Sequence, residues 1–468
     1  MPAWAKIATV DLGPAPGSAY ISVDNHRQDD FAPRAFRTRD YGATWTPIIG
    51  GLPDGHFVAV VRADPVRDGL LYAGTDRGVF VSFDDGARWR SLRRNLPSVI
   101  VTDLLVHERD LIVSTMGRGI WVLDDLTPLR QAAAIEPQAR AFLFAPAPAI
   151  RVRANQNKDT PLPPEEPAGE NPPAGALIDY WLAKSAKGPL QIEIRDEHGA
   201  TVRRFASGEP PPKLKVDRYF AAEWARPAEP PSAGAGAHRF VWDLRYPRPK
   251  APGYEYSIAA VWGGETSLLP QGPLVLPGPY DIVLRVDGRE YRARLTVRPD
   301  PRLTFDLANA AAALELMRAA QGSLARAADA SLEVDYLKQR LDAVSAQLTA
   351  HADHDAAASA VAALRDRISP LTEGEGDAGP RLSSIADALR TLHNDLDGSD
   401  AAPTESQRQA LSACDERLEH ALGLWRGARE SALVALNTAL TGAGLAPIAI
   451  PPVEQIHANE ASPGKDLP

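Results

Sequence analysis

The chain is poor in the features that most directly announce a function. It has one cysteine, Cys414, in 468 residues, which excludes an internal disulfide framework and a zinc site built on thiolates. No run of 18 or more apolar residues occurs, so no helix is expected to span a membrane. The opening Met-Pro-Ala-Trp-Ala-Lys lacks the apolar core of a signal peptide. Basic residues are not in excess. The net charge is −9, with 25 acidic and 14 basic residues from Asp300 onward, which leaves the first 299 residues at +2. Nothing reads as a basic stripe, so nucleic acid is not an expected partner. There is no Gly-x-Ser-x-Gly, phosphate loop, dinucleotide fingerprint or His-Glu-x-x-His, and no cofactor or metal is expected.

What the chain does carry is an eight-residue phrase written twice, 44 residues apart. The copies are Thr38-Arg39-Asp40-Tyr41-Gly42-Ala43-Thr44-Trp45 and Ser82-Phe83-Asp84-Asp85-Gly86-Ala87-Arg88-Trp89. Both read hydroxyl-x-Asp-x-Gly-x-x-Trp, and each position suits a tight turn between antiparallel strands. Asp40 and Asp84 can accept backbone N–H bonds of their own turns, and Gly42 and Gly86 supply a positive φ. Thr38 and Ser82 tie down the incoming strands, while Trp45 and Trp89 carry apolar bulk back under the hairpins. Two copies at a period near that of a four-stranded blade predict a β-propeller. The boxes are therefore read as structural.

Residues 1–127 divide into three sets of short strands, about three blades. The second is clearest, with Phe57–Ala63, Leu70–Gly74, Val79–Phe83 and Arg88–Leu92. Three blades do not close a ring. The open edges are expected to be met by missing N-terminal blades or by self-association.

Two boxes, the stretch Val23-Asp24-Asn25-His26-Arg27-Gln28-Asp29-Asp30-Phe31 and the phrase Ser114-Thr115-Met116-Gly117-Arg118-Gly119-Ile120-Trp121-Val122-Leu123-Asp124-Asp125 resemble the last blades of bacterial Asp-box (BNR-repeat) proteins. The resemblance continues through Asn171-Pro172-Pro173-Ala174-Gly175-Ala176, Arg239-Phe240-Val241-Trp242-Asp243-Leu244-Arg245-Tyr246 and Gly278-Pro279-Tyr280. It covers most of this chain, but only the C-terminal half or so of the family pattern. That family is usually labelled glycosyl hydrolase, has a sortilin-like propeller and is often exported. The resemblance implies a carbohydrate- or protein-binding scaffold piece without a complete active site. The alternatives are a sialidase- or xyloglucanase-like glycoside hydrolase completed by missing blades, and a sortilin-like peptide binder.

Further along, residues 128–175 read as a Pro-rich linker and 176–299 as an immunoglobulin-like β-sandwich, with surface loops near 207–236 and 247–277. Helical periodicity over 300–445 predicts a helical bundle, and 446–468 reads as a disordered tail. The fold class is thus multidomain, mainly β and then α.

Propeller ligands sit on the loops joining strand two to three and strand four to the next blade. Those loops hold His26, Arg27, Asp29 and Asp30, then Asp54 and His56, Asp76 and Arg77, Arg93 and Arg94, and Met116 and Arg118. Asp30 with Asp76 or Asp54 could supply the carboxylate pair that glycoside hydrolysis needs, while solvated or salt-bridged loop residues are the alternative reading. His351, Asp353, His354 and Asp355 have metal-ligating side chains but occupy a helix junction, where polar residues are expected. Cys414 falls on an apolar helix face and reads as an inert buried thiol.

Overall fold

The computed structural model describes residues 4–153, 169, 172–209, 216–217, 229–256, 267–348, 355–373 and 379–460. Strands β1 (Lys6–Leu12), β2 (Ala19–Asp24), β3 (Ala35–Thr38) and β4 (Thr46–Pro47) form one antiparallel sheet in chain order. A second sheet repeats the plan with β5 (Val58–Ala63), β6 (Leu71–Thr75), β7 (Gly78–Ser82) and β8 (Trp89–Ser91). A third has three strands, β9 (Val101–His107), β10 (Asp110–Thr115) and β11 (Ile120–Leu123).

The second sheet is rich in β-branched and aromatic residues on both faces because both faces are covered. Tyr20, Val58, Val61, Leu71 and Trp89 fill its contact with the first sheet. Val60, Tyr72, Val81, Val101 and Leu104 fill its contact with the third. The two outer faces of this stack keep apolar side chains in solvent. Ile7, Val10 and Leu12 are exposed on the first sheet, and Leu105, Ile120 and Val122 on the third.

Helix α1 (Thr127–Gln131) leaves the third sheet and returns Arg130 to the second. There Arg130 meets the fully buried Asp64 at 3.0 Å, and that carboxylate also accepts from the Tyr72 hydroxyl and the Val66 and Arg67 amides.

Next come β12 (Ala141–Leu143), β13 (Ala149–Arg151), β14 (Ala176–Leu182), β15 (Gln191–Arg195), β16 (Thr201–Ala206), β17 (Val216–Asp217), β18 (Gly236–Trp242), β19 (Tyr254–Tyr256), β20 (Leu268–Leu269), β21 (Gly278–Val286) and β22 (Arg289–Pro299). Sheets β12-β14-β18 and β13-β22-β21-β15-β16 share one core of Ile178, Tyr180, Ile192, Ile194, Trp242, Ile282 and Leu284. The small sheet β17-β19-β20 lies against the helices.

Helices α2 (Leu307–Leu348), α3 (Asp355–Thr372), α4 (Leu382–Leu396), α5 (Glu405–Gly427), α6 (Leu433–Gly442) and α7 (Val453–Glu460) follow. Their apolar stripes meet in a core that includes Leu324, Leu337, Leu341, Ile385, Leu389, Leu418 and Leu436. Cys414 is buried there, and burial pushes its thiol pKa up. Thr404 and Gln407 form a reciprocal capping box at the start of α5.

Three expectations need correction. The span 128–175 is not all linker, because Ala141–Leu143 and Ala149–Arg151 are edge strands of the two sheets. Three residues are too few to show a strand period. The insertion 247–277 is not simply a surface loop, since Ala251 and Tyr254 are buried in the helical core. The tail from Ala446 is anchored at its start. Ile448 is buried, and the Asn437 amide donates to its carbonyl at 2.9 Å and accepts from its N–H at 2.7 Å. The Pro161–Pro167 run, His351, Asp353 and His354 lie outside the described residues.

A cluster of arginines and aspartates joins the sheets to the helices. Arg151 reaches Asp400 through both terminal nitrogens, at 2.6 and 2.7 Å. Arg153 bonds Asp400 at 2.8 Å and Asp397 at 3.2 Å, and Arg245 bonds Asp397 at 2.8 Å. Asp397 is almost wholly buried.

Candidate functional site

The two boxes fold alike. The Thr38 hydroxyl accepts from the amides of Asp40 and Gly42 and donates to Asp40 at 2.7 Å. The Ser82 hydroxyl accepts from Asp84 and Gly86 and donates to Asp84 at 2.8 Å. Asp40 accepts from the Thr44 amide and Asp84 from the Arg88 amide, each at 2.8 Å. Hydrogen bonds from Thr44, foremost, hold the Asp40 carboxyl down at about 2. The glycines follow a non-glycine residue that already has positive φ, at 58° for Tyr41 and 59° for Asp85. Asp40 therefore spends both oxygens, and Asp84 its Oδ1, inside their own turns.

The tryptophans differ. Trp89 is buried, its indole N–H donating to the Ile48 carbonyl and its backbone N–H to Gly50, both at 2.7 Å. Trp45 is 39% exposed, because no described residue covers its side of the first sheet as Ile48 covers Trp89.

The loops at the other end bring several expected residues together. His56 Nδ1 lies 3.0 Å from Asp76 Oδ1, tying the connection between the first two sheets to the β6–β7 turn. His26 stacks on Phe57 with ring centroids 4.5 Å apart, and its Nδ1 lies 2.6 Å from Asp24. Asp30 accepts from Arg34 at 2.6 Å, Asn25 at 2.9 Å and the Ala32 amide at 3.2 Å. Those bonds, Arg34 first, hold its carboxyl at about 2. Arg27, Asp29, Asp54 and Arg118 are exposed on these loops and join no shared cluster among the described residues.

A cleft of about 260 Å³ opens here, lined by His56, Arg77, Phe80, Ser91, Arg93 and Ser98 among others. The loop geometry singles out His56, Arg77 and Arg93. Phe80, Ser91 and Ser98 escape sequence reasoning, although the 44-residue register runs past the boxes. Leu52-Pro53 and Leu96-Pro97 repeat it, which marks both segments as equivalent connections. Among the described residues no group of three or more His, Cys, Asp or Glu is placed to hold a metal ion.

Residues of the second β region also converge on the third sheet. Arg239 pairs with Asp179 at 2.9 Å and donates to the Asp124 and Asp125 carbonyls, fastening this region to the end of the third sheet. A Cβ on Gly175 would fall 2.1 Å from the Trp242 carbonyl oxygen, so only glycine fits there.

No protein-family model matches the chain, and no curated protein matches it in sequence. Among solved structures it is similar to YCF48 bound to D1 peptide, with 16% identity over 26% of this chain and 37% of that one, at a TM-score of 0.20. It is also similar to the extracellular domain of a hybrid two-component system from B. thetaiotaomicron, with 9% identity over 64% and 31% and a TM-score of 0.21. A third is the GH74 xyloglucanase from Xanthomonas campestris, with 14% identity over 62% and 55% and a TM-score of 0.22. The chain spans less than two thirds of each. Likeness this slight leaves the functional reading to the chain's own geometry.

Proposed function

We propose that residues 1–127 are about three blades of an open β-propeller, and that the chain is a binding scaffold, not a complete hydrolase. The observation that supports this is how the loop carboxylates are used. A glycosidase needs one carboxyl kept protonated as general acid, with a raised pKa. Asp30 is held the other way, at about 2, and Asp76 is paired with His56. The cleft beside Asp76 offers His56, Arg77 and Arg93, which suit a ligand carrying an anionic group, on a glycan or a protein. We extend the reading to an immunoglobulin-like sandwich in the two facing sheets and a helical domain from residue 300.

An array of sialylated, uronylated and neutral oligosaccharides and carboxylate-terminated peptides tests the cleft. Arg77→Ala with Arg93→Ala should weaken the best ligand about tenfold, or ~1.4 kcal/mol, with no reducing sugar released from xyloglucan or sialosides. Turnover abolished by Asp76→Asn would replace scaffold with enzyme, and unchanged affinity would remove the cleft from the site.

The scaffold reading also assigns a role to the two outer faces. Exposed apolar sheet faces and open edges invite another sheet, supplied by further blades or a second copy. Light scattering should show mass rising with concentration, and Val10→Lys with Val122→Lys should suppress the rise. A concentration-independent monomer would refute the open flanks.

A further inference from the structure

The solvent face of the five-stranded sheet carries a lattice of charges that the loop cleft does not involve. Along β22, β21, β15 and β16 the register sets Arg294 opposite Asp281 and Asp281 opposite Arg195. In the next row Arg292 faces Val283, Val283 faces Glu193, and Glu193 faces Arg204. In the third, Glu290 faces Arg285. Each carboxylate sits among guanidiniums. Glu193 accepts from Arg195 at 2.9 Å and from Arg285, with Arg204 at 3.7 Å. Glu290 accepts from Arg285 and Arg292, each at 2.7 Å, and Asp281 lies 3.6 Å from Arg294. Arg195, foremost, holds the Glu193 carboxyl at about 2, so the lattice keeps its charge across the physiological range.

Five arginines on three carboxylates leave a surplus of two positive charges, and exposed Arg298 continues the β22 row. The surplus faces water. Arg204, Arg292 and Arg294 are 59, 60 and 63% exposed, so most of their donors are turned outward. Such a surface recognises an anion by guanidinium–oxyanion bonds. Its spacing narrows the partner. Arg294 and Arg195 stand two strands apart, ~9–10 Å, with a carboxylate between them. Duplex nucleic acid presents a charge about every 1.7 Å of axis, far denser than this lattice, and would meet its carboxylates as well as its arginines. Val283 at the centre is fully covered, so it offers no apolar seat to a peptide side chain.

We propose that this face is a docking surface for an acidic polysaccharide whose charges are widely spaced, about one per disaccharide. The polymer lies across the strands along the first row, with neighbouring anionic groups on Arg294 and Arg195 and the uncharged sugar between them over Asp281. This inference stands apart from the loop cleft.

Hyaluronan is the probe, with dextran, poly-glutamate and duplex DNA as comparison arms against the full chain. Hyaluronan should bind with an affinity that falls as salt rises, and dextran should not bind. Arg292→Glu with Arg294→Glu should weaken hyaluronan at least tenfold, and the neutral pair Arg292→Gln with Arg294→Gln should do so to a smaller degree. The neutral variant should keep the parent melting temperature, because the replaced groups are exposed, whereas the charge-reversed one, which sets Glu opposite Asp281, should melt slightly lower and is assayed well below that melting temperature. Arg77→Ala with Arg93→Ala should leave hyaluronan binding intact, which separates this surface from the cleft. Absence of hyaluronan binding, equal binding by the charge-reversed variant, or tighter binding of DNA or poly-glutamate would overturn the proposal.

Discussion

Asp397→Ala is expected to destabilise the joined sheets and helices by about 3–5 kcal/mol, the cost of removing one partner from a buried ion pair. Asp397 lies at the end of α4 and bonds Arg153 and Arg245. Burial holds the pKa of Arg245 below its ordinary value, the Asp397 carboxylate opposing that effect. At neutral pH that guanidinium remains charged, so alanine strands a cation away from water. Arg153 keeps Asp400, and Arg245 keeps the Gly272 carbonyl, which limits the loss without cancelling it. Urea unfolding followed by circular dichroism measures the change. Arg245→Met with Asp397→Leu should recover part of it, since removing both charges removes the desolvation cost as well. A loss under about 1 kcal/mol for Asp397→Ala would show that water reaches the cluster and that the sheets and helices are not locked there.

The same cluster shows what can be read from the chain and what cannot. The boxes are legible because the hydroxyl and carboxylate bonds that shape their turns close within eight residues, from Thr38 to Trp45 and from Ser82 to Trp89. The helices are legible because Leu382, Ile385, Leu389 and Leu392 repeat at the period of one face. Arg245 and Asp397 are 152 residues apart, and no local pattern links them. The arginine lattice is hidden for a related reason. Its members come from four strands, each alternating in and out, so no segment carries a basic run. The cleft is half legible. His56, Arg77 and Arg93 follow from where loops fall in a repeated sheet, but Asp76 reads as a candidate catalytic group until its histidine partner is seen. Edge strands such as Ala149–Arg151 owe their conformation to β22, not to their own composition.

Trp89→Ala should cost about 3–5 kcal/mol, the range for truncating a buried large aromatic, whereas Trp45→Ala should cost under about 1 kcal/mol. The two residues hold the same place in the same phrase, so a role confined to the turn predicts equal losses. What separates them is the neighbouring sheet. Trp89 sits against Ile48 with its indole N–H on that residue's carbonyl, and a Cβ on Gly86 would come within 2.6 Å of the Ile48 side chain. Alanine at 89 therefore opens a cavity between two sheets and leaves a carbonyl unpaired, two penalties that add. Trp45 is 39% exposed and has no such seat among the described residues. Its removal takes little from the isolated chain, but it should lower the affinity of any sheet that docks on the first face. Thermal unfolding of both variants, with light scattering at matched concentrations, measures both effects. Equal destabilisation by the two substitutions would mean that the tryptophan acts within its own hairpin, and the stacking of one sheet on the next would lose its chief anchor.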